Sequence, residues 1–157
     1  MELRKGDILL AYGDGFIGEV IEEFENSEYC HTAGIVGVGL LIESNGFKKT
    51  GYENISIYKG KADIFTCDIL TDEQRKKIVE YVKGEIGTVY DWILLFEEAI
   101  RLAFHIVISH KEFHNHICST LWNDAYMSIG IILCPNIKYP SPADIGNSRM
   151  MRKIGVA

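Results

Sequence analysis

Cys118 lies in the stretch NHICSTLW, after a histidine-rich loop and at the start of a helical pattern. Apolar Ile117, Leu121, Trp122, Ala125 and Ile129 recur at the spacing of one helix face. With Asn115 as N-cap, Cys118 falls in the first turn, where the macrodipole and unpaired backbone N–H groups favour a thiolate. The same N–H groups suit a developing oxyanion. A thiolate so placed is a nucleophile that requires a base. Taken by itself, Cys118 reads first as a small buried core side chain.

The candidate base lies far upstream, in HTAGIVGVGLLIES, which reads as two strands joined by a glycine-rich turn. A three-residue loop of Gly37, Val38 and Gly39 gives Gly39 the left-handed position and sets Val36 opposite Leu40. Counting outward places Asn45 opposite His31 and makes Glu43 the diagonal neighbour of His31 on the same face, about 7–8 Å away between Cα atoms. A carboxylate there would fix the tautomer of the imidazole and stabilise its cation, as the third member of a triad does. Asn45 is the next candidate for that role. The same pattern also fits a solvent-facing His/Glu pair on a sheet.

These residues need a scaffold. GDILLAY reads as a strand, Gly13 and Gly15 as turn residues, and Phe16, Ile17, Val20, Ile21 and Phe24 as one face of a short helix. ISIYKG and ADIFTCDI are further strand candidates. Thr71 and Gln74 have capping-box spacing and open a helix through about Lys83. The apolar segment Trp92–Ile108 reads as a core helix, with a lipid-facing role as the alternative. Glu97, Glu98, Arg101 and His105 interrupt it, so stable membrane insertion is not expected. Ser141, Pro142 and Asp144 mark the start of a last helix. The expected architecture is one α+β domain over residues 1–157, with strands mostly in the first half and helices in the second.

Composition narrows the partners. A formal charge of −6, from 16 basic and 22 acidic residues with no basic stripe, argues against nucleic acid. Cys30, Cys67, Cys118 and Cys134 show no C-x-x-C spacing, and the N-terminus lacks a signal peptide's pattern, so a cytoplasmic protein with free thiols is expected. HKEFHNH clusters His110, His114 and His116, which raises a zinc site. There is no H-E-x-x-H, and a polar loop explains the cluster, so neither metal nor cofactor is expected.

In order along the chain stand Gly6-Asp7, Cys30-His31-Thr32, Glu43, Tyr90-Asp91, Cys118-Ser119-Thr120-Leu121 and Ser141-Pro142-Ala143-Asp144. This series resembles the circularly permuted papain-like cysteine hydrolases of the NlpC type, over about nine-tenths of the sequence. The resemblance implies a small antiparallel sheet or barrel packed against helices. It also implies Cys118 as nucleophile, His31 as general base, Glu43 as orienting residue and Tyr90 beside the nucleophile. The sequence departs from the pattern at Thr120, where glutamate is common, and at Cys30, where serine is usual; Cys30 is read as structural. The implied activity is cysteine peptidase or amidase chemistry on a small peptide or amino-acid conjugate. The runner-up is acyl transfer or thioester cleavage on an acyl lipid, as in relatives resembling lecithin retinol acyltransferase. A non-catalytic binding module with an idle site is the third reading. The sequence does not set the oligomeric state.

Overall fold

Ile8, Leu9 and Leu10 are consecutive apolar residues, so a strand built from them needs cover on both faces. The computed structural model, which describes residues 2–13, 28–45, 49–89 and 117–157, provides it. Strand β1 (Ile8–Tyr12) lies inside a six-stranded sheet ordered β4-β3-β2-β1-β5-β6. The other strands are β2 (Tyr29–Gly37), β3 (Leu40–Glu43), β4 (Gly51–Asn54), β5 (Ala62–Thr66) and β6 (Arg152–Val156). Every neighbouring pair is antiparallel. Helices α1 (Asp72–Gly84), α2 (Cys118–Met127) and α3 (Pro142–Gly146) complete the described α+β fold.

Alternation sorts the strand side chains into two clusters. Ile8, Leu10, Val36, Ile42 and Phe65 pack with Ile78, Val79 and Val82 of α1 and Leu121, Trp122 and Tyr126 of α2. On the opposite face Leu9, Ala11, Ala33, Ile35, Leu41 and Ala62 pack together, with Ile55 and Tyr58 against them. Among the described residues, one face therefore carries helices and the other a short turn of 3-10 helix, Ile55–Tyr58.

Several expected elements are present. The capping box at Thr71 and Gln74 is formed in both directions, and α1 runs from there to Gly84. Ser141 caps α3, accepting from the Asp144 N–H at 3.2 Å. Other expectations are corrected. ISIYKG is not a strand: Asn54 accepts from the Ser56 N–H at 2.9 Å and turns the chain into the 3-10 helix, while the strand lies just before it as β4. Val36 does not face Leu40, because the ladder shifts between Ile35 and Gly37 and closes at Gly37↔Leu40, with Gly39 left-handed at φ 65°. Strands β1 to β5 all precede α1, in line with strands mostly in the first half, and β6, which the sequence reading does not include, returns to pair with β5. The helix expected from Phe16 and that expected over Trp92–Ile108 lie outside the described residues.

The first strand is fastened by a buried ion pair. Asp7 is sealed from water, and its Oδ1 accepts from Arg75 Nη1 at 2.9 Å and from the Thr66 hydroxyl at 2.6 Å. Its Oδ2 accepts from the Arg4 N–H at 2.8 Å. Arg75, on the inner face of α1, also donates to the carbonyls of Lys5 and Cys67, both at 2.9 Å. Left-handed Gly6 (φ 83°) offers its carbonyl to the Tyr126 hydroxyl at 2.7 Å, which ties α2 to the same corner. Removing one member strands a buried charge, so Arg75→Met should cost about 3–5 kcal/mol in urea unfolding. The double replacement Asp7→Leu/Arg75→Met should be less destabilised than Arg75→Met alone. Additive losses would mean the pair is not coupled as described.

Candidate functional site

Cys118 is the first residue of α2, and Ile117, not Asn115, is the N-cap. Asn115 lies outside the described residues. Ile117 has no polar side chain to accept from the first-turn N–H groups, which leaves them available beside the sulfur. Thr120 takes over half of a capping box: its hydroxyl accepts from the Ile117 N–H at 3.1 Å. Sequence reading found Thr120 only as a departure from a pattern, whereas its local role is to fix the chain entering the helix.

Two contacts set α2 against the sheet. The Trp122 indole donates to the Ile42 carbonyl at 3.1 Å, and its ring lies on the backbone of Gly34. A Cβ at Gly34 would fall 2.2 Å from that ring, so only glycine permits this approach. Tyr126, one turn further, reaches Gly6 as described above. Together they bring the Cys118 side chain close enough to act on the pKa of the His31 imidazole.

The expected partner of His31 is also in place. The pairs Ala33↔Glu43, Gly34↔Ile42 and Ile35↔Leu41 keep the register that makes Glu43 diagonal to His31. His31 Nε2 lies 3.0 Å from Glu43 Oε2. That leaves Nδ1 as the ring nitrogen facing the sulfur. Glu43 receives two more donors: the Tyr58 hydroxyl at 2.5 Å on Oε2 and Asn45 Nδ2 at 3.1 Å on Oε1. Asn45 thus supports Glu43. Tyr58 also stacks on His31, with ring centroids 6.2 Å apart and planes 16° from parallel. Sequence reading missed Tyr58, because a strand over ISIYKG gave no reason to turn its side chain toward His31.

Burial and charge compete here. Burial presses His31 toward its neutral form, but the charge and hydrogen bond of Cys118, followed by those of Glu43, lift its pKa from 6.5 to about 10. Burial disfavours the Glu43 carboxylate as well, yet the bonds from His31, Tyr58 and Asn45 bring its pKa down to about 2. Glu43 therefore contributes stability above about pH 4.5 that fades as pH falls toward 2. His31 contributes fully below about pH 6.5 and loses its contribution as pH rises toward 10. Elsewhere, burial raises the Cys67 thiol and pushes Cys134 up to about 11, so neither is an activated sulfur. Cys30 is half-buried.

Tyr90 lies outside the described residues, as do His110, His114 and His116. Among the described residues no group of three or more His, Cys, Asp or Glu side chains is placed to hold a metal ion. No described helix is long and apolar enough to cross a membrane.

No family model matches the chain, and no curated protein matches it. The fold is similar to the crystal structure of metalloprotein yiiX from Escherichia coli O157:H7, DUF1105. The TM-score is 0.77 at 16% identity, over 100% of this chain and 99% of that one. This corrects the family expectation. The neighbour belongs to DUF1105 and is described as a metalloprotein, so the assignment to NlpC-type, papain-like hydrolases does not stand. The descriptions that came with it, cysteine peptidase, thiol protease and amidase, lose that support. What remains is the side-chain geometry.

That geometry predicts an order of effects on His31. Cys118→Ala should lower its pKa most and Glu43→Gln less, because the sulfur is the larger of the two raising influences. NMR titration of the imidazole carbon-bound protons, assigned with His31→Gln, measures both. An unchanged titration in Cys118→Ala would show that sulfur and ring are not in contact.

Proposed function

We propose that the protein is a cysteine-dependent hydrolase that cleaves an amide bond through an acyl-enzyme on Cys118. The observation that carries this reading is the placement of His31 between the Cys118 sulfur and the Glu43 carboxylate. Sulfur and ring share a proton, and the raised His31 pKa favours its residence on the ring. The sulfur then attacks the substrate carbonyl carbon, forming the C–S bond, while the C=O pair moves onto oxygen. First-turn N–H groups of α2 are suited to receive that charge. Collapse breaks the C–N bond, and the ring proton passes to the departing nitrogen. Water next attacks the thioester with His31 as base, releasing the acid and restoring the thiol pair.

An amine leaves only after protonation, whereas an alcohol or thiol leaves more readily. A ring that keeps its proton through neutral pH suits the amide, and this favours amide cleavage over lipid acyl transfer. A small peptide or amino-acid conjugate is the matching substrate class. A cytoplasmic setting belongs to the same reading, since none of the four cysteines is in a disulfide.

The neighbour's description raises a metal-assisted alternative. At this site Glu43 is taken up by three donors and His31 Nε2 by Glu43. Cys118 Sγ and His31 Nδ1 are then two donors, short of the three protein ligands of a catalytic zinc site. The described residues do not fit a metal, and no step above uses one.

Intact-mass spectrometry of the protein mixed with a panel of aminoacyl and peptidyl amides, and separately with fatty-acyl esters, tests the proposal. The expected result is a mass increase equal to the acyl part of an amide, mapped to Cys118. It should be absent in Cys118→Ala and strongly reduced in His31→Ala. Adducts from fatty-acyl donors alone would replace amide cleavage with lipid acyl transfer. No adduct from any donor would favour a binding module.

A further inference from the structure

We propose that Tyr58 is a positioning residue of this site: its hydroxyl holds the Glu43 carboxylate in one rotation while its ring fixes the plane of His31. This deepens the acyl-enzyme reading and rests on it. Glu43 Oε2 is shared by two donors, His31 Nε2 at 3.0 Å and the Tyr58 hydroxyl at 2.5 Å. Asn45 on Oε1 supplies the third contact that stops the carboxylate from rotating about its last bond. Without the phenol, one lone pair facing the buried side of Glu43 has no donor, and rotation toward another partner would carry Oε2 away from Nε2.

The ring contact is independent of the hydroxyl. Centroids 6.2 Å apart in near-parallel planes fit an offset stack, which gains strength when the imidazole is charged. Tyr58 is itself well held. Its turn is anchored by the Ile55 N–H donating to the Gly39 carbonyl at 3.1 Å and by the Lys61 N–H donating to the Tyr58 carbonyl at 2.8 Å. The hairpin that carries Glu43 therefore also carries the base of the residue that clamps it. Burial and the facing Glu43 charge push the Tyr58 pKa far up, so the phenol stays a donor at any working pH. Among the described residues, the titratable groups facing this cluster are Cys118 from α2, His31 from β2, Glu43 from β3, and Glu53 from β4 acting on Tyr58. Tyr58 touches no reacting atom. It acts through Glu43 and His31.

The test needs no substrate. The rate of Cys118 alkylation by iodoacetamide, read by peptide mapping, is measured from acid to mildly alkaline pH on the full chain. Wild type, Tyr58→Phe, Tyr58→Leu and His31→Ala are compared, with melting temperatures as a folding control. In wild type the alkylation rate should rise with pH along a limb that His31→Ala displaces. Tyr58→Phe keeps the ring, should melt within a few degrees of wild type, and should move the low-pH limb upward by about half a unit or more. Tyr58→Leu should move it further. If both superimpose on wild type while His31→Ala shifts the limb, the role of Tyr58 is overturned and the acyl-enzyme reading stands. A shift in Tyr58→Leu without one in Tyr58→Phe overturns the part given to the hydroxyl, and the proposal with it. If wild type itself titrates like a free thiol and His31→Ala changes nothing, the acyl-enzyme reading fails first.

Discussion

A carboxylate cut off from water must have its lone pairs answered by the protein, and Asp7 imposes that demand where β1 begins. Meeting it recruits Thr66 from the end of β5, Arg75 from the inner face of α1 and the Arg4 backbone. Each of these can reach Asp7 only if its element already lies at one height along β1. The turn at Gly6 presents the carbonyl that Tyr126 takes, so the helix bearing Cys118 is indexed to the same strand. Since β1 also pairs with β2, the positions of nucleophile and base both trace back to this corner. A buried pair of this kind is poor evidence for net stability. Its value is geometric, because few other arrangements of the chain would satisfy it.

The site works on the opposite principle, an alternation of charge held together by its own members. The His31 ring stands between the Cys118 side chain and the Glu43 carboxylate, and ring and carboxylate each favour the charged form of the other. Burial opposes both of these charges. The arrangement therefore persists as a unit, and the neutral donors Tyr58 and Asn45 close its far end. Two buried hydroxyls nearby, on Thr32 beside His31 and on Ser119 beside Cys118, have no hydrogen-bond partner among the described residues.

Much of this was legible in the residues because it depends on local rules. Period-two alternation placed Glu43 on the face of His31, and the register survived even though the turn closed differently, since the shift lies beyond Ile35 on the side away from His31. The capping signals at Thr71 and Ser141 were equally direct. Tyr58 was hidden for a physical reason: ISIY has strand-forming residues, and only the Asn54 cap turns it into a 3-10 helix. Strand β6 was missed because RKIGV lacks clear alternation and pairs with a partner far away in sequence. Gly6-Asp7 was visible as a motif, but its work, a polar corner sealed by an arginine from α1, needed the tertiary structure. The family resemblance is the instructive failure. Short motifs in a familiar order suggested a family, while the fold matches a protein assigned to another.

The contact between Trp122 and Gly34 has a consequence for how this chain can vary. An aromatic plate resting on bare backbone acts as a spacer whose thickness sets the gap between the nucleophile's helix and the base's strand. Neither residue can change freely alone: a side chain at position 34 collides with the indole, and a smaller residue at position 122 leaves a void against the sheet. Descendants of this sequence should therefore exchange the two positions jointly or keep both, and the pair should drift more slowly than the apolar positions around it, which can trade volume with many neighbours.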